Sequence, residues 1–439
     1  MFEWLARQNT QTIKQSNNQA IKQSSNHQSL ITRVFFERFV ARRFLPRDRN
    51  GFSGPLVTIA TLSIALGVLV MVMAVSILRG FQGEIRQKVV GFGSHMVVTG
   101  YAMGNTYEEL PVDVGRPEVE RIRNTPGVKH VGFFANKGGM IKTEDQIHGI
   151  ILKGVDRGYD STFFAAHMVE GRLPAFPDDR PSNEVVVSQT IADRLGVAVG
   201  DKVRTYFWQS DTPRARALQV CGIYNTDLTD FDEHYLVGDL RQVQRLNDWD
   251  STLAGGYEVL VDDFRHLDDI GSQVLQQLGY DLTMHTVVEM NPALFAWLDL
   301  LDSNIVLIII IMTMVCTVAI ISALLIMIFE KTATIGLLKA LGSDNGSIRR
   351  IFLYKSATII AKGIVLGDMA AWLLCWLQQR FHLVRLDSAN YMMENVPIDL
   401  NASTFIAISA GSLAVCLLAL LLPTAYISHI EPAKTIKFD

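Results

Sequence analysis

The sequence predicts a helical membrane protein with four transmembrane helices, arranged as one plus three around a large α+β extracytoplasmic domain. Long runs without charge and a long polar segment after the first run predict this class. Of the 439 residues, 49% are hydrophobic and 19% are charged, whereas soluble proteins carry about 25% charged residues. The net charge of −4 is too small to indicate nucleic acid as a partner.

Three runs in the sequence contain no charged residue, and they comprise residues 51–78, 303–329 and 400–428. Each run is longer than the roughly 20 residues that cross a hydrocarbon core. A fourth run, residues 356–379, is interrupted by Lys362 and Asp368. We interpret it as a span because three spans would leave the flanking polar regions in conflict with the charge rule for membrane loops. The predicted spans are therefore residues 55–79, 303–329, 353–379 and 402–428.

The distribution of lysine and arginine orients the chain. Residues 31–50 carry six Arg, and residues 330–355 carry five Lys or Arg against two acids, whereas residues 380–399 carry two Arg against three acids. Short loops rich in Lys and Arg stay in the cytoplasm. Both termini and the 330–350 loop are therefore predicted to be cytoplasmic. Residues 80–300 then form the extracytoplasmic domain, and residues 380–400 form a short loop on the same side.

The two ends of the chain have distinct compositions. Residues 1–30 are polar and nearly repetitive, so we expect a disordered tail or sequence translated ahead of a misassigned start. They contain no apolar stretch typical of a signal peptide. In residues 31–50 basic and apolar side chains alternate, which predicts an amphipathic helix at the membrane interface. Residues 429–439 are expected to form a cytoplasmic tail.

The segment between the first two spans has the alternation of strands, turns and short helices that is typical of an α+β domain. The predicted strands comprise residues 185–187, 202–208, 218–224 and 257–261. The predicted helices comprise residues 190–195, 240–246 and 267–278.

Residues 330–342 read EKTATIGLLKALG directly after the second span, and residues 347–352 read SIRRIF before the third. This segment resembles the signature of FtsX-like ABC permeases, in which a short "IGxLKALG" helix follows a span that ends with an acidic residue. The pair Gly80 and Phe81 after the first span, and the EPAKTIKF sequence of residues 431–438, resemble the lipoprotein-releasing permeases of that family. The arrangement of the spans agrees with this resemblance.

The resemblance implies a non-enzymatic permease subunit in the bacterial inner membrane, with its large domain in the periplasm. Such a subunit couples ATP hydrolysis by a separate ABC ATPase to extraction of lipoproteins from the membrane by mechanotransmission. The implied partners are that ATPase, a second permease (the same chain or a paralogue), lipoprotein substrates and a periplasmic lipoprotein chaperone. No Gly-x-x-x-x-Gly-Lys-[Ser/Thr] motif occurs in the sequence. We therefore expect ATP and Mg²⁺ on the ATPase. The sequence also shows no metal-ligand spacing and no catalytic constellation, so we expect no cofactor, metal or catalytic site on this chain.

The resemblance also implies the site residues, since the cytoplasmic helix of such permeases contacts the ATPase. The predicted contact residues are Glu330, Ile335, Leu338, Lys339, Ala340, Leu341 and Gly342. Ile335, Leu338 and Leu341 fall on one helical face at spacings of three, and Gly342 can end the helix. The alternative is an ordinary loop helix without a partner. Gly80 and Phe81 are predicted to begin a stalk that continues the first span outward.

The sequence departs from the lipoprotein-releasing permeases in two places, the segment of residues 209–217 and the charged pair Lys362 and Asp368 of the third span, which has no assigned role in the family. The member that recruits the chaperone has a long hairpin hook between the strands that match residues 202–208 and 218–224. Here only residues 209–217 fill that gap, so a hook is shortened or missing. Two other functions stay open at this point: a signalling permease that controls a periplasmic cell-wall hydrolase, and an efflux permease similar to macrolide exporters.

Polar residues within the third span and an acidic cluster complete the set of candidates. Lys362 is expected to extend toward the interface, and Asp368 is expected either to pair with another helix or to stand without a partner. Gly363 and Gly367 form a Gly-x-x-x-Gly pattern, which permits close helix packing. A cluster of acids and one histidine favours a solvated loop over a divalent-metal site, and it comprises Asp227, Asp230, Asp232, Glu233 and His234.

Overall fold

The computed structural model of the protein describes residues 53–101, 109–143, 146–209, 212–387 and 391–424. The predictions for residues 1–30, 31–50 and 429–439 therefore lie outside the described residues. The chain divides into two compact units. Of the described residues, 53–78, 302–381 and 398–424 belong to the helical unit, and those within 79–301 and 382–397 belong to the sheet unit.

The helices are numbered in chain order. They are α1 (Ser53–Gly93), α2 (Pro117–Arg123), α3 (Thr162–Ala166), α4 (Gln189–Leu195), α5 (Thr229–Asp232), α6 (Leu240–Asn247), α7 (Leu267–Leu275), α8 (Val287–Met290), α9 (Pro292–Glu330), α10 (Thr332–Ala340), α11 (Asn345–Phe381), α12 (Ala402–Ala419) and α13 (Leu421–Thr424).

The strands are numbered in the same way. They are β1 (Met96–Gly100), β2 (Val112–Asp113), β3 (Val128–Lys142), β4 (Ile147–Val155), β5 (Met168–Gly171), β6 (Glu184–Ser188), β7 (Lys202–Gln209), β8 (Thr212–Tyr224), β9 (Tyr235–Asp239), β10 (Leu253–Ala254), β11 (Gly256–Val261) and β12 (Leu282–Thr286).

Four helical segments are long and apolar enough to cross a membrane. They are Val57–Gly93, Pro292–Glu330, Asn345–Phe381 and Ala402–Thr424. A helix is the structure expected of such segments, because a peptide group in hydrocarbon has no water with which to form hydrogen bonds. Over the described residues, the four predicted membrane spans are therefore confirmed as helices. The first helix ends at Gly93 and the second begins at Pro292, well beyond the apolar runs.

Glycines in α11 let its backbone approach α1 closely within the helical unit. A Cβ atom placed on Gly363 would lie 2.8 Å from the Cβ of Ile64, and one on Gly367 would lie 2.6 Å from the carbonyl oxygen of Ala65. The Gly-x-x-x-Gly pattern therefore marks a helix–helix contact, as predicted.

The ionisable residues of α11 differ in their surroundings. The hydroxyl of Ser409 on α12 donates to the carboxylate of Asp368, with distances of 2.9 and 2.7 Å to its two oxygens. Of the two alternatives left open for Asp368, the structure therefore supports pairing with another helix. Lys362 is exposed, which agrees with a side chain that reaches toward the interface.

The sheet unit contains one large mixed sheet of ten strands. Its strand order is β12-β1-β11-β3-β4-β9-β6-β8-β5, and β7 pairs with both β3 and β8. Through β7 the pairings close a ring of six strands, namely β3, β4, β9, β6, β8 and β7. The four predicted strands correspond to β6, β7, β8 and β11, and the three predicted helices correspond to α4, α6 and α7.

The hairpin of β7 and β8 is the segment in which a hook was predicted to be shortened or missing. The two strands pair continuously from Lys202 opposite Gln219 to Gln209 opposite Thr212. Only residues 210 and 211 lie between the strands, so the segment is a tight hairpin. This agrees with the predicted shortening of the hook.

Side-chain caps explain where the short helices of the sheet unit begin. The hydroxyl of Ser188 accepts from the amide of Ile191 at 3.1 Å and starts α4. The carboxylate of Asp239 accepts from the amide of Arg241 at 2.9 Å and starts α6. Each cap satisfies a backbone donor that has no partner within the helix. Gly196 ends α4 in the left-handed conformation, with φ of 63°.

The close approach at Gly367 yields a testable prediction. We expect Gly367→Ala to destabilise the protein by about 1–3 kcal/mol, because the added methyl group overpacks the contact with α1. The matched control is Gly411→Ala on α12, where a Cβ atom would meet nothing within 4 Å. Thermal unfolding in detergent measures both variants. A midpoint for Gly367→Ala equal to that of Gly411→Ala would contradict the packing argument.

Candidate functional site

The helix α10, which carries most of the predicted site residues, follows α9 after a single residue, Lys331. The amide of Lys331 donates to the carbonyl of Met327 at 3.1 Å, and the amide of Ile335 donates to the carbonyl of Lys331 at 2.9 Å. The hydroxyl of Thr332 donates to the carbonyl of Phe329 at 2.6 Å, which satisfies an acceptor at the end of α9. The short, hydrogen-bonded connection fixes the start of α10 to the end of α9.

The inner face of α10 packs into the core of the helical unit. Ile335 is 1% exposed and shares an apolar cluster with Ile328 of α9 and Ile351 of α11. Leu338 is half-buried and packs against the same cluster. Burying a side chain such as Ile335 contributes about 2 kcal/mol. Ile335 and Leu338 therefore hold α10 in place.

The opposite face of α10 is apolar and exposed. Leu337 is 56% exposed and Leu341 is 75% exposed, and Ala333 and Ala340 are exposed beside them. We call these four residues the outer face of α10. Their spacing of three and four places them on one side of the helix. Large apolar side chains grouped in this way are typical of a docking surface.

The structure separates three residues that the sequence placed on one face. Leu341 lies on the outer face of α10, whereas Ile335 and Leu338 point into the core. Glu330 is exposed and Lys339 is half-exposed, so both flank the apolar surface with charge. Leu337 is the residue that the sequence reading left out. The sequence did contain an indication of this, because Leu337 and Leu338 are adjacent and two adjacent residues of a helix cannot both face the core.

The end of α10 has a Schellman motif, which explains Gly342. The amide of Gly342 donates to the carbonyl of Lys339, and the amide of Ser343 donates to the carbonyl of Leu338, both at 3.0 Å. Gly342 has φ of +92°, which a glycine adopts without steric cost. Gly342 therefore ends the helix, as predicted. Two residues later Asp344 accepts from the amide of Ser347 at 3.3 Å and caps α11.

The predicted stalk residues lie in the sheet unit. Phe81 is buried and packs edge-on against Trp297 of α9, with ring centroids 5.5 Å apart. The side-chain amide of Gln82 donates to the carbonyl of Leu298 at 3.0 Å. Gly80 is half-buried next to these contacts. Within this unit α1 and α9 are therefore joined by an aromatic contact and a hydrogen bond.

A buried lysine ties α1 to two loops of the sheet unit. The ammonium of Lys88 donates to the carboxylate of Asp227 and to the carbonyl of Met392, both at 3.0 Å. Its side chain is almost fully buried. A buried charge is stable only when it is paired. Lys88 therefore fixes the loop after β8 and the loop between α11 and α12 to the same turn of α1.

A second buried lysine ties the end of α1 to the sheet. Lys153 of β4 pairs with Glu258 of β11 at 2.7 Å, and their side chains are only 3% and 7% exposed. The same ammonium donates to the carbonyl of Phe92 at 2.7 Å. Phe92 is the penultimate residue of α1, where a cation complements the negative end of the helix dipole.

The acidic cluster is part of the fold rather than a solvated loop. Asp232 is buried and accepts hydrogen bonds from the hydroxyl of Thr226 at 2.8 Å and from its amide at 3.0 Å. Asp227 is paired with Lys88. The expectation of a solvated loop is therefore wrong for these two residues, and it holds for Asp230, which is exposed. Among the described residues no group of His, Cys, Asp and Glu could hold a metal ion.

Two families match this sequence and account for both units. The family described as MacB-like periplasmic core domain matches residues 57–276, which is half of the chain. The family described as FtsX-like permease C-terminal matches residues 306–432. The chain belongs to the FtsX-like ABC permeases. The predicted class, four membrane helices with a mixed α and β periplasmic domain, is confirmed.

Individual relatives match nearly the whole permease. It is similar to the lipoprotein-releasing system transmembrane protein LolC of Xylella fastidiosa, at 20% identity over 90% of this chain and 96% of the relative. It is also similar to the lipoprotein-releasing system transmembrane protein LolE of Haemophilus influenzae, at 21% identity over 89% and 96%. The solved periplasmic region of MacB from Actinobacillus actinomycetemcomitans is similar at 13% identity and a TM-score of 0.33, over 47% of this chain and 95% of that one.

Lys88 and Lys153, two of the buried lysines that the structure describes in this permease, were not predicted from the sequence. Lys153 stands inside the apolar run IILKGV of residues 150–155, and a lysine in such a strand indicates a buried ion pair. Lys88 precedes two valines in the sequence QKVV, which gives a weaker signal. Neither pattern identifies the partner, since Glu258 and Asp227 lie more than 100 residues away along the chain.

The burial of Asp232 predicts a pH dependence of stability. Burial raises the pKa of Asp232 to about 6, whereas an unfolded Asp titrates near about 3.9. The native state therefore keeps this proton after the unfolded state has lost it. The contribution of Asp232 to stability is fully present below about pH 4 and is lost as the pH rises through about 6, by about 2–3 kcal/mol in total.

Asp232→Asn tests this dependence, because it removes the titration and retains a hydrogen-bond acceptor for Thr226. We expect the thermal midpoint of this variant in detergent to fall less between pH 4 and pH 7 than that of the wild type. Asp230→Asn is the control, since Asp230 is exposed. Parallel pH profiles of all three proteins would rule out Asp232 as the source.

Proposed function

We propose that this chain is the permease subunit of an ABC transporter that extracts lipoproteins from the inner membrane by mechanotransmission. ATP is hydrolysed on a separate ATPase subunit, which also holds the Mg²⁺. Relatives that match over nearly their whole length are named lipoprotein-releasing system transmembrane proteins. The observation that carries the proposal is that α1 is one helix of 41 residues, apolar in its first part and fixed at its end by Lys88 and Lys153.

The outer face of α10 is the proposed contact with the ATPase. Leu337 and Leu341 supply an apolar anchor, and Glu330 and Lys339 supply charges at its rim. This is the composition of a protein–protein contact, with an apolar centre and a polar border. Because Ile335 and Leu338 anchor α10 to α9 and α11, a force on the outer face passes directly to both helices.

In the proposed mechanism α1 and α9 transmit that movement to the periplasmic domain. An α-helix is stiff along its axis, because each peptide group is hydrogen-bonded to the next turn. Lys88 and Lys153 attach the end of α1 to the domain, and the contact of Phe81 with Trp297 attaches α1 to α9. Closure of the ATPase would then reshape the periplasmic domain without a polar channel through the membrane.

A second permease, either the same chain or a paralogue, is proposed to complete the transporter. The helix α9 leaves large apolar side chains uncovered within the helical unit, including Val306, Ile310 and Met314. Such a surface suits acyl chains of a lipoprotein held between two permeases. In this arrangement both termini lie in the cytoplasm. A periplasmic lipoprotein chaperone would receive the cargo, and the tight hairpin of β7 and β8 argues against a hook on this chain.

The contact with the ATPase can be tested with charged substitutions on the outer face of α10. We expect Leu337→Glu combined with Leu341→Glu to abolish co-purification of the ATPase, because a carboxylate cannot be desolvated in an apolar groove. The control is Leu275→Glu, which alters an exposed leucine of the sheet unit. Retention of the ATPase by the double variant at the wild-type level would refute this assignment.

The transmission step can be tested at Lys88. We expect Lys88→Met to retain the ATPase and its hydrolysis but to reduce release of an acylated lipoprotein from proteoliposomes at least tenfold. The combination with Asp227→Asn removes the carboxylate that Lys88→Met leaves unpaired, which lowers the cost to folding. Lys202→Met, an exposed position, is the control. Wild-type release by both Lys88 variants would exclude this route of transmission.

The cargo is identified by mass spectrometry of the proteins and acylated peptides that co-purify with the chain in mild detergent. An ABC ATPase together with di- or triacylated lipoproteins supports lipoprotein extraction. An ATPase with a cell-wall hydrolase or with an efflux adaptor, and no lipoprotein, would overturn it.

A further inference from the structure

A cavity of about 420 Å³ lies within the sheet unit, beside the second half of α1. Its walls come from α1, the start of β3, the segment around α3 and the end of β11. Cavities that bind small ligands have volumes of about 300–1,000 Å³. Neither the proposed ATPase contact nor the attachment of α1 by Lys88 uses this space.

The wall of this cavity includes the cationic side chain of Arg86. The guanidinium of Arg86 lies over the ring of Phe264, with 4.4 Å between its central carbon and the ring centroid. Its Nε is buried and has no hydrogen-bond partner among the described residues. A buried N–H group without an acceptor is unfavourable. An anionic ligand in the cavity would pair with the charged guanidinium of Arg86, which lines the wall.

Histidines add hydrogen-bonding groups to the same wall. His95 lines the cavity, and its Nδ1 accepts from the amide of Val261 at 3.2 Å. The proton of the neutral ring is therefore on Nε2, which is a donor. Burial and the neighbouring Lys129 lower the pKa of His95 to about 4, so this donor form persists at neutral pH. His130 also lines the cavity, and its Nε2 is buried without a hydrogen-bond partner among the residues that the structure describes.

The carboxylates at the cavity are already satisfied. Glu258 is paired with Lys153 at 2.7 Å. Asp160 accepts from the hydroxyl of Thr162 at 2.5 Å and lies 3.9 Å from the ammonium of Lys129. Among the described residues of the wall, Arg86 forms no ion pair with a carboxylate, so its positive charge is left for a ligand. Most of the remaining wall is apolar and includes Phe163, Leu260 and Phe264.

We propose that this cavity binds the phosphate-type oxyanion of an amphiphilic ligand. Arg86 and the Nε2–H of His95 hold the oxyanion, and Phe163 and Phe264 contact the apolar part of the ligand. A phospholipid and a free organic phosphate present the same oxyanion, and the experiment below distinguishes these two sources. The inference goes beyond the proposed transport function and does not depend on it.

Two variants alter the cavity by independent routes. Arg86→Gln removes the charge. Gly83→Leu fills the space, because Gly83 lines the cavity and a Cβ atom on it would meet nothing within 4 Å. Leucine also favours the helix more than glycine does, so this variant is expected to fold. The matched control is Arg79→Gln, which removes one positive charge from the same helix at a residue that does not line the cavity.

The experiment is calorimetric titration of the full chain in neutral detergent with three probes. The probes are dihexanoylphosphatidylglycerol, dihexanoylphosphatidylcholine and glycerol 3-phosphate, each below its micellar concentration where one exists. We expect the phosphatidylglycerol to bind, and both Arg86→Gln and Gly83→Leu to weaken its binding at least tenfold. Arg79→Gln should change the affinity less than twofold. Thermal midpoints establish that each variant is folded.

The probes identify the source of the oxyanion. Phosphatidylglycerol binding that is at least tenfold tighter than glycerol 3-phosphate binding supports a lipid ligand, and similar affinities support a free organic phosphate. Equal binding of both diacyl lipids would mean that the site recognises the phosphate and not the remainder of the headgroup. The proposal is overturned if no probe binds, or if either Arg86→Gln or Gly83→Leu binds as the wild type does.

Discussion

Peptide groups inside hydrocarbon find no water, and this constraint determines the helical unit. Each N–H and C=O group of a span must pair within its own helix, so every apolar run becomes a helix. Burial of apolar surface cannot then drive these helices together, since lipid is equally apolar. The helices are instead held together by close backbone packing and by hydrogen bonds. Gly363 and Gly367 pack against α1, and Ser409 donates a hydrogen bond to Asp368. The position of α10 depends on this packing, because Ile335 is buried in the same core.

In the sheet unit the main constraint is the burial of charged side chains. Lys88 and Lys153 lie where water cannot solvate them, and each is paired with a carboxylate and with a backbone carbonyl. A buried pair of this kind contributes little net stability, but removal of one partner is strongly destabilising. Lys88 and Lys153 therefore define the position of α1 in the sheet unit more than they add to its stability. Both act on the last two turns of α1, and the proposed transmission of movement to the periplasmic domain depends on that attachment.

The same segment of α1 also forms a wall of the Arg86 cavity. Lys153 neutralises Glu258, which lines that cavity, and among the described residues of the wall Arg86 forms no ion pair with a carboxylate. A ligand bound at Arg86 would contact α1 within two turns of both lysine attachments. The attachment of the helix and the proposed binding site are thus parts of one arrangement in the sheet unit.

Local patterns in the sequence predict the four spans, the strands β6, β7, β8 and β11, and the end of α10 at Gly342, because each follows from a run of apolar residues or from one glycine. The sequence also indicated the family through residues 330–342. It did not determine which side of α10 is exposed, since Ile335, Leu337, Leu338 and Leu341 are equally apolar and only packing against α9 and α11 distinguishes them. Nor did it determine the partners of Lys88 and Lys153, because those contacts join residues that are distant in the chain and meet only in the tertiary structure.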